Sequence, residues 1–217
     1  MSLPFFILFI IISLVQLYAG YTDMLTLKAY SKGYIVTSLI AFYLFSASEI
    51  NRFFLLALVL CMLGDVLLLS RNTFVMGGVS FLAAHICFCT GYAGYIDLKV
   101  IPVLPPIIFS AAMIFVIILI IRAVNNGNSR KMIIAASSYM TSVMIHTVFS
   151  LCLLLTSFSV QGILVFFGSL LFFFSDCLVV LRQFKKETKF KKISFVIMLT
   201  YIFALALITI GYLKISQ

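Results

Sequence analysis

The sequence predicts an all-α, polytopic membrane protein with eight transmembrane helices in one bundle and a single domain over residues 1–217. Three observations support this prediction: the composition, the spacing of apolar segments, and the placement of Lys and Arg. Of the 217 residues, 64% are hydrophobic and only 10% are charged, whereas soluble domains are about 45–50% apolar and about 25% charged. This composition excludes an ordinary soluble domain, a disordered chain and a disulfide scaffold.

Apolar segments of membrane-spanning length are the second observation. A helix needs about 20 mainly apolar residues to cross the ~30 Å hydrocarbon core of a bilayer. The charged clusters divide the chain into eight such segments, which are Leu3–Ala19, Lys32–Ala47, Phe53–Ser70, Phe74–Ile96, Ile101–Ile121, Met132–Phe158, Val160–Leu181 and Ile193–Leu213. Eight helices with short loops leave no room for a second domain.

The individual segments differ in their flanking signals. The first has no basic residue before its apolar run, so it is interpreted as a span that enters from the outside and not as a signal peptide. The second is the shortest, and Lys32 must snorkel at its end. The turn Arg71–Thr73 makes the third and fourth segments antiparallel neighbours. The fifth begins at a cluster of prolines, the sixth ends in an exit turn at Thr156–Ser159, and the basic run Arg182–Lys192 separates the last two.

The placement of Lys and Arg is the third observation. Counted from the N-terminus, the odd-numbered loops hold twelve of the fifteen, which are Lys28, Lys32, Arg71, Arg122, Arg130, Lys131, Arg182, Lys185, Lys186, Lys189, Lys191 and Lys192. The even-numbered loops and the termini hold only Arg52, Lys99 and Lys214. Because cytoplasmic loops carry an excess of Lys and Arg, this split predicts cytoplasmic odd loops and two termini on the outer side.

The formal net charge of +9 would indicate a polyanionic partner in a soluble protein. Here topology accounts for the cations, so we predict the lipid bilayer as a partner and no nucleic acid. The run Arg182–Lys192 is interpreted as a solvated topology anchor, and binding of anionic lipid is the alternative. All five cysteines fall inside proposed spans, which indicates reduced thiols. The protein is predicted to be multi-pass, in the cytoplasmic membrane if the source is bacterial, and no pattern indicates an oligomeric state.

Two acidic residues lie within proposed spans, where a charged side chain is costly. Asp65 is in the third segment and Asp176 in the seventh, and neither has a cation within four residues, so both are expected to be unpaired. An ionised Asp at the centre of a membrane helix costs about 2.5–3.5 kcal/mol on insertion scales. Such residues usually face the bundle interior and mark functional sites. The alternative is that they only hold helices together through hydrogen bonds.

The predicted topology places both acids at a similar depth. Asp65 lies five residues before Ser70 and Asp176 lies six residues before Arg182, at the cytoplasmic ends of their segments. At a rise of 1.5 Å per residue, both lie roughly 7–9 Å inside the same membrane face. Two acids far apart in sequence therefore share a depth, and they form one site if their helices adjoin.

His85 in the fourth segment is the third candidate catalytic residue. It shares a helix face with Gly78 and Tyr92, which are each seven residues away. The short turn between the third and fourth segments brings it within side-chain reach of the Asp65 layer. The alternative for His85 is a histidine that only packs between helices.

Other polar side chains follow the inner faces of the sixth and seventh segments. In the sixth, Tyr139, Ser142 and His146 form one stripe, which is interpreted as a set of hydrogen bonds between helices. In the seventh, Ser169 lies seven residues before Asp176, so it is a candidate for the same cavity.

Several other kinds of site lack support. The two His residues cannot supply a three-histidine zinc site, and the Asp and His residues lack the spacing of metal motifs, so no metal is predicted. The chain has neither the G-x-S-x-G elbow of serine hydrolases nor a phosphate loop. A haem would depend on His85 and His146 alone, so no cofactor is predicted.

Three motifs resemble the YhhN family of lysoplasmalogenase-like membrane proteins, and the resemblance covers nearly the whole chain, including the eight-helix layout. The motifs are L-G-D-V-L-L-L (Leu63–Leu69), G-G-V-S-F-L-A-A-H (Gly77–His85) and G-S-L-L-F-F-F-S-D-C-L-V-V-L-R-Q-F (Gly168–Phe184). The family's Lys near the start of helix two is matched by Lys32, and its helix-six Tyr by Tyr139. The family often continues its histidine motif as H-x-x-Y, whereas this chain has Phe88 there, with Tyr92 as a substitute.

The resemblance implies hydrolysis of the vinyl-ether bond of lysoplasmalogens to a fatty aldehyde and a glycerophospho-alcohol. This reaction needs an acid to protonate the alkene carbon and water to capture the oxocarbenium ion. Asp65 and Asp176 are the candidate acid and base or cation stabiliser, in either order, and His85 would orient water or shuttle a proton. Lys32 is the candidate that holds the lipid phosphate, and Lys28 is the alternative. Three more residues are candidates for binding the lysophospholipid substrate: Tyr139, Tyr92 and Ser169.

Two functions of other classes stay open. A proton-coupled transporter or lipid-binding membrane protein would use the buried acids as a relay, although no pair of Gly/Pro-interrupted helices in matching halves favours transport. A structural membrane component would use the acids only to hold helices together.

Overall fold

The computed structural model describes residues 2–22, 24–70, 72–125, 128–184 and 192–215. In these ranges the chain forms eight α-helices and no strand, which confirms the all-α class. The helices are α1 (Leu3–Tyr21), α2 (Leu25–Ser46), α3 (Arg52–Leu67), α4 (Phe74–Ala93), α5 (Leu104–Asn125), α6 (Arg130–Thr156), α7 (Val160–Phe184) and α8 (Ile193–Ile215). Arg71 and residues 185–191 of the predicted topology anchor lie outside the described residues.

Seven of these helices form a closed ring, and the remaining one packs on its outside. Around the ring, α1, α2, α3, α4, α6, α7 and α8 each contact the next, and α8 contacts α1. α2 also contacts α8, and α5 packs against α6 and α7. Helices that are far apart in sequence therefore surround one interior.

Two clusters of buried apolar side chains stabilise this arrangement. The larger fills the ring with residues from all seven of its helices, and it includes the stacked rings of Phe54 and Tyr212, whose centroids are 3.9 Å apart. The smaller joins α5 to α6 and α7 and includes Met113, Met140 and Phe173. α5 therefore supports the outer face of the α6–α7 pair.

Six helices, α1 and α4 to α8, are long and apolar enough to cross a membrane. Large apolar side chains cover their outward faces, for example Ile11 and Leu14 on α1 and Ile107 and Phe115 on α5. An apolar exterior on this scale marks a surface that contacts a membrane or a partner, as in a multi-pass membrane protein. The other two helices are less apolar or shorter: α2 contains two lysines, and α3 has only 16 residues.

The second helix begins earlier than the sequence predicts. α2 starts at Leu25 and not at Lys32. A helix can continue past its apolar residues when its polar side chains form hydrogen bonds or ion pairs with neighbouring helices. Ser31, for example, donates a hydrogen bond to Gln16 of α1. Lys32 therefore lies about 10 Å along the helix axis from the first residue. The prediction that Lys28 and Lys32 are loop residues, with Lys32 at a helix end, is wrong.

Local sequence signals account for the hairpin of α3 and α4. The side chain of Asn51 accepts hydrogen bonds from the backbone N–H groups of Phe53 and Phe54 at 3.0 and 3.1 Å, which caps the start of α3. At the other end, the Thr73 hydroxyl donates to the Leu67 carbonyl at 2.6 Å and so fixes the turn. α3 and α4 lie side by side, as predicted.

Candidate active site

A small polar cavity lies inside the ring of helices. Its volume is about 40 Å³, enough space for a water molecule. Ionisable side chains from five helices border it: Lys32 of α2, Asp65 of α3, Tyr139 of α6, Asp176 of α7 and Tyr201 of α8. The two aspartates thus face one cavity, although α4 and α6 separate α3 from α7 along the ring.

Two partners from other helices hold the Asp65 carboxyl group. The Tyr201 hydroxyl donates a hydrogen bond to Oδ2 of Asp65 at 2.7 Å, and Nζ of Lys32 lies 3.2 Å from Oδ1. The Lys32 side chain is only 15% exposed, so the ion pair is largely shielded from water. The expectation that Asp65 is unpaired is therefore wrong, because its cation comes from a neighbouring helix and not from its own.

Gly64 allows the close packing that places Asp65 at the cavity. A Cβ atom at Gly64 would lie 2.6 Å from ring atoms of Phe81 on α4, so a larger residue would force the Phe81 ring out of its place. The Phe81 ring instead packs directly on α3 and borders the cavity beside Asp65. The same ring meets Tyr201 edge-on, with centroids 6.0 Å apart, and so positions the phenol that binds Asp65.

Asp176 has a different environment. Its Oδ2 atom lies 3.5 Å from Nε2 of His85, and neither atom has a closer hydrogen-bond partner among the described residues. The Tyr139 side chain interacts with the same carboxyl group. The two carboxyl groups therefore differ: Asp65 is paired with Lys32, whereas no Lys or Arg of the described ranges pairs with Asp176.

A series of buried polar groups extends from Asp176 away from the cavity. The Nδ1 atoms of His85 and His146 are 3.1 Å apart, and Nε2 of His146 lies 3.2 Å from the Tyr92 hydroxyl and 3.4 Å from the Ser169 hydroxyl. A neutral imidazole carries only one N–H. One of the two facing Nδ1 atoms must therefore donate and the other accept, so the two neutral rings have opposite tautomers.

Phe88 and Tyr92 both contact the His146 ring. Phe88 stacks on it, with the centroids 5.1 Å apart and the planes at 16°, while Tyr92, one helical turn later, supplies the hydroxyl group. Phe88 occupies the position at which the resemblance leads one to expect tyrosine. Phe88 has no hydroxyl group, but Tyr92 supplies one from the same face of α4, and Tyr92 is the residue predicted from the sequence as the substitute.

A larger, apolar cavity lies beside the polar one. It has a volume of about 270 Å³ and is lined by the facing sides of α4, α6 and α7. Ser138 and Tyr139 supply its only side-chain hydroxyl groups among the lining residues. Four residues border both cavities: Leu68, Phe81, Tyr139 and Val179. The two spaces therefore share one wall.

The predicted site residues fall into two groups by position. Four border the polar cavity: Lys32, Asp65, Tyr139 and Asp176. Three lie behind Asp176 and are not among the lining residues of either cavity: His85, Tyr92 and Ser169. Within this second group, Tyr92 and Ser169 contact His146, and the Ser169 hydroxyl also donates to the Val165 carbonyl at 2.9 Å.

Two residues of the site were not predicted as functional. Tyr201 lies in the mainly apolar helix α8, and its signal in the sequence is a phenol, which needs a hydrogen-bond partner when buried. His146 was interpreted as a residue that forms hydrogen bonds between helices, and it does so with the candidate catalytic histidine itself. Its signal was that it is the only other histidine of the chain.

The cysteines and acids do not form a further site in the described part of the chain. All five cysteines are free. No group of three or more His, Cys, Asp or Glu side chains among the described residues is arranged to hold a metal ion. The ionisable groups of the candidate site are two carboxyl groups, one ammonium group, two imidazoles and three phenols.

The sequence matches one family model over most of its length. The model of the YhhN family matches residues 27–212, a range that begins in α2, ends in α8 and includes every residue that borders the polar cavity. No curated protein and no solved structure shows a significant match to the chain. Since the family match covers well over half of the chain, the protein belongs to the YhhN family.

Proposed function

We propose that the protein is an intramembrane hydrolase that cleaves the vinyl-ether bond of lysoplasmalogens, releasing a fatty aldehyde and a glycerophospho-alcohol. The observation that carries this proposal is the pair of buried carboxyl groups on one cavity, of which Asp65 pairs with Lys32 and Asp176 pairs with no Lys or Arg of the described residues. Membership of the YhhN family, which is associated with lysoplasmalogenase activity, supports it.

The reaction begins with proton transfer to carbon. Asp176 supplies the proton to the alkene carbon that is not bonded to oxygen, because a buried carboxyl group without a counter-charge is best accommodated as the neutral acid. The carbon bonded to oxygen then carries the positive charge of an oxocarbenium ion. The Asp65 carboxylate stabilises this charge, and Lys32 and Tyr201 stabilise Asp65 in its ionised form.

Water completes the reaction. It attacks the oxocarbenium carbon and loses a proton to Asp176, which thereby regains the proton that it gave to the alkene. The resulting hemiacetal breaks its bond to the glycerol oxygen, and the hemiacetal proton moves to that oxygen as the aldehyde forms. One water molecule is consumed, and both carboxyl groups return to their starting states. Glycosidases divide the work between two carboxyl groups around a similar oxocarbenium-like transition state.

His85, His146 and Tyr92 are positioning residues in this mechanism, since they reach the substrate only through Asp176. The Tyr92 hydroxyl donates to Nε2 of His146, Nδ1–H of His146 donates to Nδ1 of His85, and Nε2–H of His85 then faces Oδ2 of Asp176. That N–H stabilises the carboxylate that forms when Asp176 gives up its proton. The hydrogen bond on one imidazole nitrogen thus sets the tautomer at the other.

Lys32 and Tyr139 contact the substrate on different sides of the reacting bond. An ammonium group has three N–H donors, so Lys32 holds the lipid phosphate while it stays paired with Asp65. Tyr139 borders both cavities, so the alkenyl chain passes its ring. Neither role needs a cofactor or a metal ion.

All eight helices cross the membrane in this proposal and form a single domain, with both termini on the outer side. The closed ring supports it, because α2 and α3 occupy positions between helices that are long enough to span. The excess of Lys and Arg in the odd-numbered loops of the sequence supports the orientation, and it persists when Lys28 and Lys32 are assigned to α2. The bilayer and the lysophospholipid are then the partners, with no role for nucleic acid, and in a bacterium the membrane would be the cytoplasmic one.

A second candidate function is proton-coupled transport, with the buried acids as the relay. The observation that favours it is the row of polar groups from Asp176 through His85 and His146 to Tyr92, which resembles a proton path. Purified protein in lipid vesicles distinguishes the two functions. A transporter moves protons with its substrate and releases no aldehyde, whereas the hydrolase releases aldehyde without a proton gradient.

The proposed hydrolysis is tested with purified protein in detergent and a 1-alkenyl lysophospholipid, with mass spectrometry of the released aldehyde. Asp176→Asn and Asp65→Asn should each lower the rate by roughly 10² or more. Asp97→Asn is the matched control, because Asp97 is exposed in the connection between α4 and α5 and should leave the rate unchanged. Aldehyde release at the unaltered rate in both site variants, normalised to folded protein, would show that the assignment is wrong.

A further inference from the structure

The apolar cavity between α4, α6 and α7 has the features of a binding site for one hydrocarbon chain. Its lining residues include Leu82, Met132 and Val180, and hydroxyl groups occur only at Ser138 and Tyr139. A lining of this kind suits an apolar ligand, because it offers few hydrogen-bond donors or acceptors to a polar one. With about 270 Å³, it is several times larger than the polar cavity of about 40 Å³.

The shared wall determines which end of a chain reaches the carboxyl groups. Phe81, Tyr139, Leu68 and Val179 border both spaces. A chain in the apolar cavity therefore ends beside the polar one, where Lys32 provides a positive charge. An apolar cavity that adjoins a polar cavity with a cation matches an amphiphile with a single tail and an anionic head.

The outer edge of the apolar cavity faces the surroundings of the bundle. Val75 and Val79 line the cavity, and they are 69% and 61% exposed. Both lie on the side of α4 where the surface is apolar, as it is over the rest of the helical exterior. A hydrocarbon chain therefore has a route into the cavity that never passes through water.

Gly78 on α4 determines how much of the cavity is open. It lines the cavity, and a Cβ atom added there would have no atom within 4 Å. This position differs from Gly64 and Gly77, where an added Cβ would lie within 3.0 Å of a neighbouring side chain. At Gly64 and Gly77 a neighbouring side chain fills the space beside the glycine. At Gly78 that space stays open and belongs to the cavity.

We infer that this cavity binds the hydrocarbon chain of a single-chain lipid that enters sideways from the membrane, and that Gly78 sets the length of chain accepted. This inference rests on the proposed function for the identity of the head group, since it treats the chain as the tail of the same lysophospholipid. A larger residue at Gly78 would occupy the space of the chain without disturbing the carboxyl groups, which lie beyond the shared wall.

Binding is measured independently of turnover with a fluorescent reporter. The chain contains no tryptophan, so Phe74→Trp places a single one in the cavity lining. The probe is lysophosphatidylcholine with a brominated acyl chain, which has no vinyl ether and quenches tryptophan on contact. Phe115→Trp is the control, because Phe115 is 61% exposed on α5 and is not a lining residue of the cavity.

Quenching of Phe74→Trp should saturate with the probe, whereas that of Phe115→Trp should rise in proportion to the lipid content of the micelle. Adding Gly78→Leu to Phe74→Trp should weaken the saturable binding by about tenfold or more, as expected when a cavity is overfilled. Gly94→Leu is the matched control, since Gly94 is at the other end of α4 and also has open space around it.

A chain-length series of alkenyl lysophospholipids provides the second measurement. Gly78→Leu should lower the turnover of the longest chains most and that of the shortest chains least. Non-saturable quenching at Phe74→Trp, or saturable quenching that Gly78→Leu leaves unchanged in folded protein, would overturn the inference. Saturable quenching without any aldehyde release would instead count against the proposed hydrolysis and leave the chain-binding site standing.

Discussion

The Nδ1 atoms of His85 and His146 lie 3.1 Å apart, between two fully buried rings. One atom of this pair must carry the proton and the other must not, so the tautomer of His146 decides whether Nε2 of His85, which faces Asp176, carries a proton. The chemistry of the cavity is thereby linked to a residue that is not part of the cavity wall. In the proposed mechanism the Tyr92 hydroxyl, at the far end of the series, acts on the site through the same link.

Replacing His146 by Phe should therefore lower kcat by roughly tenfold or more, because it removes the hydrogen-bond partner that selects the tautomer of His85. Tyr92→Phe should have a smaller effect in the same direction. KM should change little in both variants, since neither side chain lines a cavity. Steady-state kinetics of aldehyde release measures the two constants separately.

His146→Gln separates positioning from packing, because an amide can still hydrogen-bond to His85 and should restore part of kcat. Ser169→Ala is the control: its hydroxyl already donates to the Val165 carbonyl, so its loss should leave kcat within about twofold. A raised KM with an unchanged kcat in His146→Phe would contradict the positioning role.

The ion pair of Lys32 and Asp65 should show strong coupling in a double-mutant cycle. Lys32→Met alone should lower the free energy of unfolding by about 3–5 kcal/mol, because it leaves a buried carboxylate without its cation. The double variant with Asp65→Asn should lose less than the sum of the two single variants. Unfolding in mixed detergent micelles measures these differences.

Lys99 and Asp97 provide the comparison for this cycle, since both are exposed in the same connection. Lys99→Met and Asp97→Asn should change stability by no more than about 1 kcal/mol each, with additive effects. Additive losses at Lys32 and Asp65 would mean that their contact contributes nothing to the fold.

Tyr201→Phe removes the hydroxyl that donates to Asp65 at 2.7 Å and keeps the ring. The carboxylate retains Lys32, so we expect a loss of about 1–3 kcal/mol in the free energy of unfolding together with reduced kcat. Tyr30→Phe is the control on an exposed side chain of α2 and should change neither quantity. Unaltered kcat in Tyr201→Phe would place the stabilisation of the oxocarbenium ion elsewhere.

Gly168→Ala should destabilise the α7–α8 contact. A Cβ atom there would lie 2.8 Å from Cγ1 of Ile208 and 2.9 Å from the Ala204 carbonyl oxygen, and a backbone oxygen cannot rotate aside as the end of a side chain can. Overpacking of this kind costs about 1–3 kcal/mol. Gly78→Ala, which meets nothing within 4 Å, should be neutral or slightly stabilising, and thermal unfolding in detergent compares the two.

The number of helices could be predicted from the sequence because length and apolar content are local properties of each segment. The start of α2 could not, because Ser31 and Lys32 are tolerated there by partners on α1 and α3. Because the predicted segment is bounded by its polar residues, it begins at Lys32 and omits the first seven residues of α2. The same kind of boundary is correct at Phe74 and Val160, where polar turns stand directly before the helices.

The sequence also predicts one part of the candidate site and not another: it identifies the two aspartates but not their surroundings. Asp65 and Asp176 could be found because an acid in an apolar segment is conspicuous whatever surrounds it. Their different environments could not, since Lys32 and Tyr201 reach Asp65 from other helices and His85 reaches Asp176 across α4 and α7. Which acid has a cation is a property of the ring of helices and not of either sequence motif.

The pairing of Lys32 with Asp65 bears on how the chain enters the membrane during synthesis. Each residue alone would bring a charge into hydrocarbon at a cost of about 2.5–3.5 kcal/mol, and the ion pair exists only when α2 and α3 are present together. α2 and α3 are also the two helices that are not long and apolar enough by themselves. In the proposed topology, in which all eight helices cross the membrane, insertion of α2 and α3 together as a hairpin would let the opposite charges neutralise each other and lower that cost for both helices at once.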